Sequence, residues 1–268
     1  LQLHETKIRM SLKFVFIGAG NLATHLSLTL KINGFQIAQV YSRTEDSAKE
    51  LAKKLDCGFT NSTGDIHKDA DVYVIALKDS AYEKVLPQID FGNKLVIHCS
   101  GSTPLSVLSG YAKNYGVLYP LQTFSKEREV NFREIPVFVE GNSAENKKKV
   151  LQVAHKISGS VALLNSEKRI YLHIAAVFVC NFVNHFYSIG SDILHSENIS
   201  FDVLKPLIKE TADKIKEMEP HNAQTGPAVR YDENIISKHL EHLKGKNNYD
   251  ELYSLISKSI FEHHQNQN

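Results

Sequence analysis

A glycine-rich turn between a predicted strand and a predicted helix constrains the fold of this chain most strongly. The apolar, β-favouring run Phe14–Ile17 leads into Gly18-Ala19-Gly20-Asn21-Leu22-Ala23, and a helical pattern follows at once. In a Gly-x-Gly-x-x-Ala turn the first glycine permits the tight bend, the second lets the backbone approach a pyrophosphate, and the small third residue lets helix pack on strand. We therefore expect dinucleotide binding rather than a plain turn, with the cofactor held at Gly18, Gly20, Asn21 and Leu22.

The end of the second predicted strand bears on which dinucleotide binds. This strand, residues 35–41, is followed by Ser42, Arg43 and Thr44. Enzymes that use NAD usually carry an acidic residue about 20 residues beyond the glycines, where it accepts a hydrogen bond from the ribose 2′-hydroxyl. Here two hydroxyls flank a guanidinium, whose forked donors suit a 2′-phosphate. The sequence therefore predicts NADP(H), bound at Ser42, Arg43 and Thr44; the alternative is an ordinary exposed arginine before a helix.

Composition excludes several classes of protein. The 268 residues are 42% hydrophobic with a formal net charge of +1, which supports a sizeable core and gives no electrostatic footprint for nucleic acid. Residues 1–13 lack a continuous apolar segment, and the apolar run 174–183 is too short to span a bilayer. The three cysteines are widely spaced, so no metal site is predicted. These features predict a cytoplasmic protein that binds neither nucleic acid nor membranes.

The order of secondary-structure signals predicts an α/β fold of two parts. Strand and helix patterns alternate through roughly the first 160 residues, which favours βαβ units and a parallel sheet. From Ser166 onward strand signals vanish, and a long helix, Glu167–Leu194, precedes several shorter ones. We expect an N-terminal Rossmann dinucleotide-binding domain over residues 11–164 and a C-terminal all-helical domain for substrate binding and dimerisation over residues 165–268.

The long helix is apolar nearly all round, which predicts a central, buried element. Its apolar surface exceeds what a small helical domain can cover, so a homodimer through residues after Ser166 is expected. At about 100° per residue, His173, Asn181, Asn184 and Ser188 form a polar arc within roughly 80°. Such an arc either satisfies itself by hydrogen bonds or lines a cavity. We predict a catalytic role for Asn181 and substrate binding by Asn184.

Ligands of open α/β sheets lie outside the carboxyl ends of the strands. Those ends supply Lys78, Ser100 and Gln122, among other polar residues. We predict Lys78 as catalytic, Ser100 as a contact of the nicotinamide, and Gln122 as substrate-binding. The alternatives are a solvated loop lysine and a simple Ser-Gly turn.

His173 is the predicted proton donor. Hydride addition to a carbonyl or imine leaves charge that a nearby acid must quench, and histidine titrates near neutral pH. The alternative is a hydrogen-bonded core histidine. Arg230 is predicted to clamp a substrate carboxylate or phosphate with two parallel hydrogen bonds, unless it pairs with Asp232 or Glu233.

Four passages carry a resemblance to a known superfamily. They are Gly18–Ala23, His98-Cys99-Ser100-Gly101, Tyr119-Pro120-Leu121-Gln122-Thr123-Phe124 and Thr225-Gly226-Pro227-Ala228-Val229-Arg230-Tyr231-Asp232. With them the chain resembles the 6-phosphogluconate dehydrogenase-like superfamily, and within it an uncharacterised Rossmann-like family of NADP oxidoreductases. It is similar to pyrroline-5-carboxylate reductase, 2-dehydropantoate reductase and deazaflavin-dependent NADP oxidoreductase. The resemblance implies NADP(H) as cofactor, with the loop at Ala76 and Leu77 passing the nicotinamide ribose.

One departure from the superfamily pattern limits what the resemblance implies. Its hydroxyacid dehydrogenases place a lysine four residues before an asparagine on the long helix, and aligning that asparagine with Asn181 leaves Val177 at the lysine position. Lysine-assisted oxidation of a β-hydroxyacid is therefore unsupported. The leading hypothesis is an NADP(H)-dependent oxidoreductase of a small carbonyl or imine substrate bound in the interdomain cleft. The alternatives are a nicotinamide-binding sensor without turnover and a transhydrogenase-like partner of a flavin or deazaflavin.

Overall fold

The computed structural model describes residues 12–266. Most of the stretch 1–13, whose lack of a continuous apolar segment enters the predicted cytoplasmic location, lies outside that range. The chain divides into two compact units, the first ending at Cys180 and the second beginning at Asn181. The predicted domain boundary between residues 164 and 165 stays a prediction.

One eight-stranded sheet forms the centre of the first unit. Its strands follow the spatial order β3-β2-β1-β4-β5-β6-β7-β8. Their bounds are β1 Lys13–Ile17, β2 Gln36–Tyr41, β3 Gly58–Thr60, β4 Val72–Ile75, β5 Leu95–His98, β6 Asn114–Pro120, β7 Val137–Gly141 and β8 Val161–Leu163. Helices α1 (Asn21–Ile32), α2 (Glu45–Leu55), α3 (Tyr82–Val85) and α4 (Ala144–Ile157) connect them. The 3-2-1-4-5 order of the first five strands is that of a Rossmann domain, so the predicted α/β fold is confirmed.

The sheet is covered on both faces, as the nearly continuous apolar strands require. Alternate residues of β1 enter different cores: Phe14 and Phe16 pack in one cluster, Val15 and Ile17 in the other. All four side chains are fully buried. This packing fixes the position along the sheet at which β1 ends and the glycine-rich turn begins.

The sheet is mainly parallel, as predicted, and one pair of its strands departs from this. β6 and β7 run antiparallel, with Tyr119 opposite Phe138 and Pro120 opposite Val137. A parallel return requires a crossover connection of a dozen or more residues, usually a helix. Between these strands the chain forms only the short 3₁₀ turn Phe132–Glu134, so β7 turns back beside β6.

A continuous helical segment, Ser166–Ser196, follows the sheet. It consists of α5 (Ser166–Ala176), a π-helical segment (Val177–Phe182) and α6 (Val183–Ser196). The long helix is thus confirmed, but its predicted burial is wrong: Tyr171 and Val179 are each 74% exposed. The segment is long and apolar enough to cross a membrane by length and composition alone. A single helix of this kind is weak evidence against the predicted absence of membrane binding.

The π-helical segment also changes the predicted polar arc. Its backbone hydrogen bonds join residues five apart, so each residue turns less than the roughly 100° of an α-helix. Because Asn181 lies inside this segment and Asn184 beyond it, the angles calculated from His173 do not apply to them.

The second unit is helical, as predicted. After α6 it contains α7 (Lys205–Glu217), α8 (Pro220–Ala223), α9 (Glu233–Leu243) and α10 (Tyr249–Gln265). Ala228, Ile236 and Leu243 are its buried apolar residues. Asp232 caps α9, because its side chain accepts a hydrogen bond from the Ile235 amide.

Candidate functional site

A cleft of about 490 Å³ opens at the carboxyl ends of β1, β4, β5 and β6, within the first unit. Nine of the residues that line it are predicted site residues: Gly20, Asn21, Leu22, Ala76, Leu77, Lys78, Ser100, Gln122 and His173. Parallel strands bring the loops at their carboxyl ends to one edge of the sheet, which is why residues far apart in sequence meet here.

The glycine-rich turn forms one wall of this cleft. Gly18 has φ +125°, and a Cβ atom added to it would lie 2.3 Å from the Ala76 carbonyl oxygen. Gly18 therefore lies behind the wall, where only glycine lets the β1–α1 turn approach the end of β4. An added Cβ at Gly20 would meet no atom within 4 Å, so the backbone at the start of α1 is open. That opening leaves the helix N-terminus free to receive phosphates.

The loops after β4 and β5 are joined by hydroxyl groups. Ser100 and Ser102 each donate a hydrogen bond from Oγ to Asp79 Oδ2, at 3.0 Å. Ser100 also accepts a hydrogen bond from the Thr103 amide at 3.1 Å. These bonds fix the two loops beside Ala76 and Leu77, which shapes the floor of the cleft.

The loop after β6 is held against α1. The Asn21 side chain donates from Nδ2 to the Phe124 carbonyl oxygen at 2.8 Å, and His25 Nε2 lies 2.8 Å from the Ser125 carbonyl oxygen. The His25 ring also stacks on Phe124, at 5.4 Å between centroids. One donor of Asn21 is thus already used, which leaves its Oδ1 and the backbone amide for a cofactor.

Tyr119 and His173 meet at the far side of the cleft. The Tyr119 hydroxyl lies 3.1 Å from His173 Nδ1, and the rings contact edge to face. Burial raises the pKa of Tyr119, against a smaller lowering by Arg169, so the phenol stays protonated at neutral pH. His173 lies on α5, one helical turn after Arg169.

Arg169 anchors the start of α5 to the sheet. Its side chain is 1% exposed, and Nη1 lies 2.6 Å from Glu140 Oε2 at the end of β7. Nη2 donates to the Thr103 carbonyl oxygen at 2.8 Å and to Ser166 Oγ at 3.2 Å. The same Glu140 oxygen accepts a hydrogen bond from Ser166 Oγ at 2.8 Å. This network sets the position of α5, and hence of His173, relative to the β5 loop.

Two titratable groups at the end of β5 are held neutral. Burial, with a contribution from the Arg169 charge, lowers the pKa of His98 to about 3. Burial raises the pKa of the Cys99 thiol to about 12. Cys99 lines the cleft as an inert thiol rather than a nucleophile.

The other predicted site residues lie outside this cleft's lining. Ser42 is half-buried and Arg43 and Thr44 are exposed, all three directly after β2, the neighbour of β1. Asn181, Asn184 and Arg230 belong to the second unit, and each is exposed. Their roles stay predictions. Arg169 and Glu140 were missed, because nothing in their sequence context distinguishes a buried ion pair from two surface charges.

Comparison with known proteins gives two family matches. Residues 13–101 match the model described as NADP oxidoreductase, coenzyme F420-dependent, and residues 135–260 match a domain of unknown function, DUF2520. A pyrroline-5-carboxylate reductase from Vibrio alginolyticus is 33% identical over 90 residues, which cover 32% of this chain and 33% of that relative. The match thus spans about a third of that relative's length.

Solved structures match over nearly the full chain. The crystal structure of the "putative NADP oxidoreductase BF3122" from Bacteroides fragilis is 47% identical, covers 94% of this chain and 98% of its own, and gives a TM-score of 0.91. An imine reductase from Myxococcus stipitatus in complex with NADP⁺ is 17% identical, covers 93% of each chain and gives a TM-score of 0.68, a likeness of fold. The chain therefore belongs to the NADP oxidoreductase family represented by the Bacteroides fragilis protein, the family that its sequence motifs resemble.

Proposed function

We propose that this protein is an NADPH-dependent oxidoreductase that reduces a small imine or carbonyl compound. The observation that carries the proposal is the cleft in which an open glycine-rich helix N-terminus faces the same space as the Tyr119–His173 pair. The first feature suits a pyrophosphate, and the second suits proton donation. Family membership supports the nicotinamide cofactor, and the fold shared with an NADP⁺-bound imine reductase supports the imine class.

In this proposal the pyrophosphate binds at Gly20 and Asn21, and the nicotinamide extends past Ala76, Leu77 and Ser100. Hydride passes from C4 of NADPH to the imine or carbonyl carbon, and His173 gives a proton to the nitrogen or oxygen. The products are NADP⁺ and the reduced amine or alcohol. Gln122 would hold a polar group of the substrate, and Lys78, predicted as catalytic, lines the same cleft.

A screen for turnover tests this proposal. Cyclic imines, including 1-pyrroline and pyrroline-5-carboxylate, and short 2-oxo acids would be mixed with NADPH, and its consumption followed at 340 nm. A parallel equilibrium titration would measure NADPH binding. Turnover with any of these probes supports the proposal, whereas binding without turnover supports the sensor alternative. Because residues 13–101 match an F420-dependent oxidoreductase model, the screen includes one further assay, in which an oxidised deazaflavin is offered to NADPH as hydride acceptor.

The cofactor preference is a separate prediction. NADPH should bind at least about tenfold more tightly than NADH, a difference of roughly 1.4 kcal/mol, because Arg43 follows β2 where an acid would select NAD. Arg43→Ala should weaken NADPH alone and remove most of the preference, as measured by fluorescence titration of both cofactors. Lys49→Ala, an exposed lysine of α2, is the matched control. Equal affinities in the unmutated protein would contradict the prediction.

The homodimer and the cytoplasmic location are further parts of the proposal. The exposed apolar side chains of the long helix, among them Tyr171, Ile174 and Val179, support a second copy as their partner. Light scattering at micromolar concentration should give twice the chain mass of 30.2 kDa. Tyr171→Glu combined with Val179→Glu should shift the protein toward the monomer, whereas Glu167→Lys on the same helix should not. A monomeric unmutated protein would rule the dimer out.

A further inference from the structure

The surroundings of the His173 ring distinguish its two nitrogen atoms. Nδ1 lies 3.1 Å from the Tyr119 hydroxyl. Among residues 12–266, the Tyr119 hydroxyl is the one hydrogen-bond partner of this ring, so Nε2 has none within that range. The His173 side chain lines the cleft.

Gly101 encloses the Nδ1 edge of the ring from a second direction. A Cβ atom added at Gly101 would lie 2.6 Å from His173 Nδ1, 2.7 Å from His173 Cγ and 2.8 Å from Tyr119 Cζ. Atoms essentially never approach a real Cβ so closely, so the backbone of the β5 loop packs on this edge because residue 101 has no side chain. A substrate therefore has no access to Nδ1, and Nε2 is the nitrogen that can reach it.

We propose that Tyr119 is a positioning residue that keeps a proton on His173 Nε2, the nitrogen that serves the substrate. When the ring is neutral, the phenol donates its hydrogen to Nδ1, which leaves the ring's own proton on Nε2. When the ring is charged, both nitrogens carry protons, and the phenol oxygen accepts from Nδ1. This inference rests on the proposed function for its catalytic meaning, but the hydrogen-bond arrangement can be tested without turnover.

The proton balance of the step is simple. Hydride from NADPH adds to the imine carbon, and the charged ring loses its Nε2 proton to the imine nitrogen. The ring is then neutral with its remaining proton on Nδ1, where the phenol oxygen accepts it, until a proton from solvent returns to Nε2. Tyr119 does not ionise in this sequence, in keeping with the effect of its burial on the phenol. It orients the ring in both charge states because a hydroxyl can donate or accept.

The anchoring of α5 supports this role for Tyr119. Arg169 lies four residues before His173, and its guanidinium binds the Thr103 carbonyl oxygen in the β5 loop. Ser166 also joins this loop to α5, since its Oγ accepts a hydrogen bond from the Leu105 amide at 2.8 Å. The loop that carries Gly101 and the helix that carries His173 are therefore fixed to one another, which holds the ring at the phenol.

Nuclear magnetic resonance of the full chain with ¹⁵N-labelled histidine tests the arrangement directly. His173→Gln identifies the ring signals by their loss. In spectra recorded with the ring neutral, we expect the proton of His173 on Nε2 and the chemical shift of a hydrogen-bonded nitrogen for Nδ1. Tyr119→Phe should change the ¹⁵N chemical shift of Nδ1 to the value of a ring nitrogen that accepts no hydrogen bond. Gly101→Ala should also change the Nδ1 chemical shift, although Tyr119 is still present, because the new side chain pushes the ring away from the phenol. The control is Tyr115→Phe, on the same strand as Tyr119, which should leave the Nδ1 shift unchanged.

A ring proton on Nδ1 in the neutral ring of the unmutated protein, or a Nδ1 signal that Tyr119→Phe leaves unchanged, would overturn the inference.

Kinetics with 1-pyrroline and NADPH supply the second measurement. Tyr119→Phe should lower kcat roughly 10- to 100-fold and raise the solvent deuterium isotope effect, with KM for NADPH within about twofold. If the solvent deuterium isotope effect were unchanged, Tyr119 would serve only to pack against the ring, and its positioning role would be wrong. Absence of turnover in the unmutated protein counts against the proposed function alone, since the resonance test then still decides the arrangement.

Discussion

His173→Ala should slow reduction of the imine or carbonyl substrate by roughly 100-fold or more while leaving NADPH affinity within about twofold. A positioned general acid contributes about 10²- to 10⁴-fold to rate, and alanine removes the proposed proton donor from the cleft lining. The proposed contacts of NADPH lie on Gly20, Asn21 and the loops after β2 and β4, so binding should persist. Steady-state kinetics at 340 nm and a fluorescence titration with NADPH measure the two quantities separately.

His155→Ala is the matched control for this variant. His155 is an exposed histidine of α4 and does not line the cleft. Its replacement should leave both turnover and binding unchanged. If His173→Ala keeps more than about a tenth of the rate, another group donates the proton, and the assignment of His173 is wrong. A loss of NADPH affinity comparable to the loss of rate would instead indicate that His173 shapes the cofactor site.

Most of the fold follows from local sequence patterns, and the differences arise where non-local contacts decide. The alternation of strands and helices in the first unit follows from apolar residues that recur at helical spacing, as in α2 and α4, between the strands. The direction of β7 did not follow from its own sequence, since a strand carries no signal for parallel or antiparallel pairing; the connection before it decides. The π-helical segment from Val177 to Phe182 was also not predicted, because its mostly apolar residues continue the pattern of the helix on either side.

The same division between local patterns and non-local contacts explains which parts of the candidate site the sequence predicted. Gly20 and several predicted residues at strand ends do line the cleft, because topology brings the carboxyl ends of parallel strands to one edge of the sheet. The Tyr119–His173 contact joins residues 54 positions apart and depends on where α5 crosses the β5 loop. That crossing is set by the buried Arg169, whose sequence neighbours Glu167, Lys168 and Ile170 suggest an ordinary surface turn of helix. Sequence patterns thus indicated residues that line the cleft, but not the contacts that orient His173, the proposed proton donor.

Arg169→Met should lower the free energy of unfolding by about 3 to 5 kcal/mol, the usual effect of removing one partner from a buried ion pair. Methionine fills a similar volume but leaves the Glu140 carboxylate, itself 19% exposed, without its guanidinium. It also removes the hydrogen bonds from Nη2 to Thr103 and Ser166. Because domains are stable by only about 5 to 15 kcal/mol, urea denaturation should show a large fall in midpoint.

Two further variants distinguish the effect of losing the ion pair on stability from the effect of losing side-chain packing. Lys168→Met changes an exposed neighbour on the same helix and should alter stability by no more than about 0.5 kcal/mol. Arg169→Met combined with Glu140→Gln removes the unpaired charge and should recover part of the loss, since the two residues are coupled. A loss below about 1 kcal/mol in the single variant would mean that water reaches Glu140 and that the pair is not what fixes α5. In that case His173 would owe its position to Tyr119 and Gly101 alone.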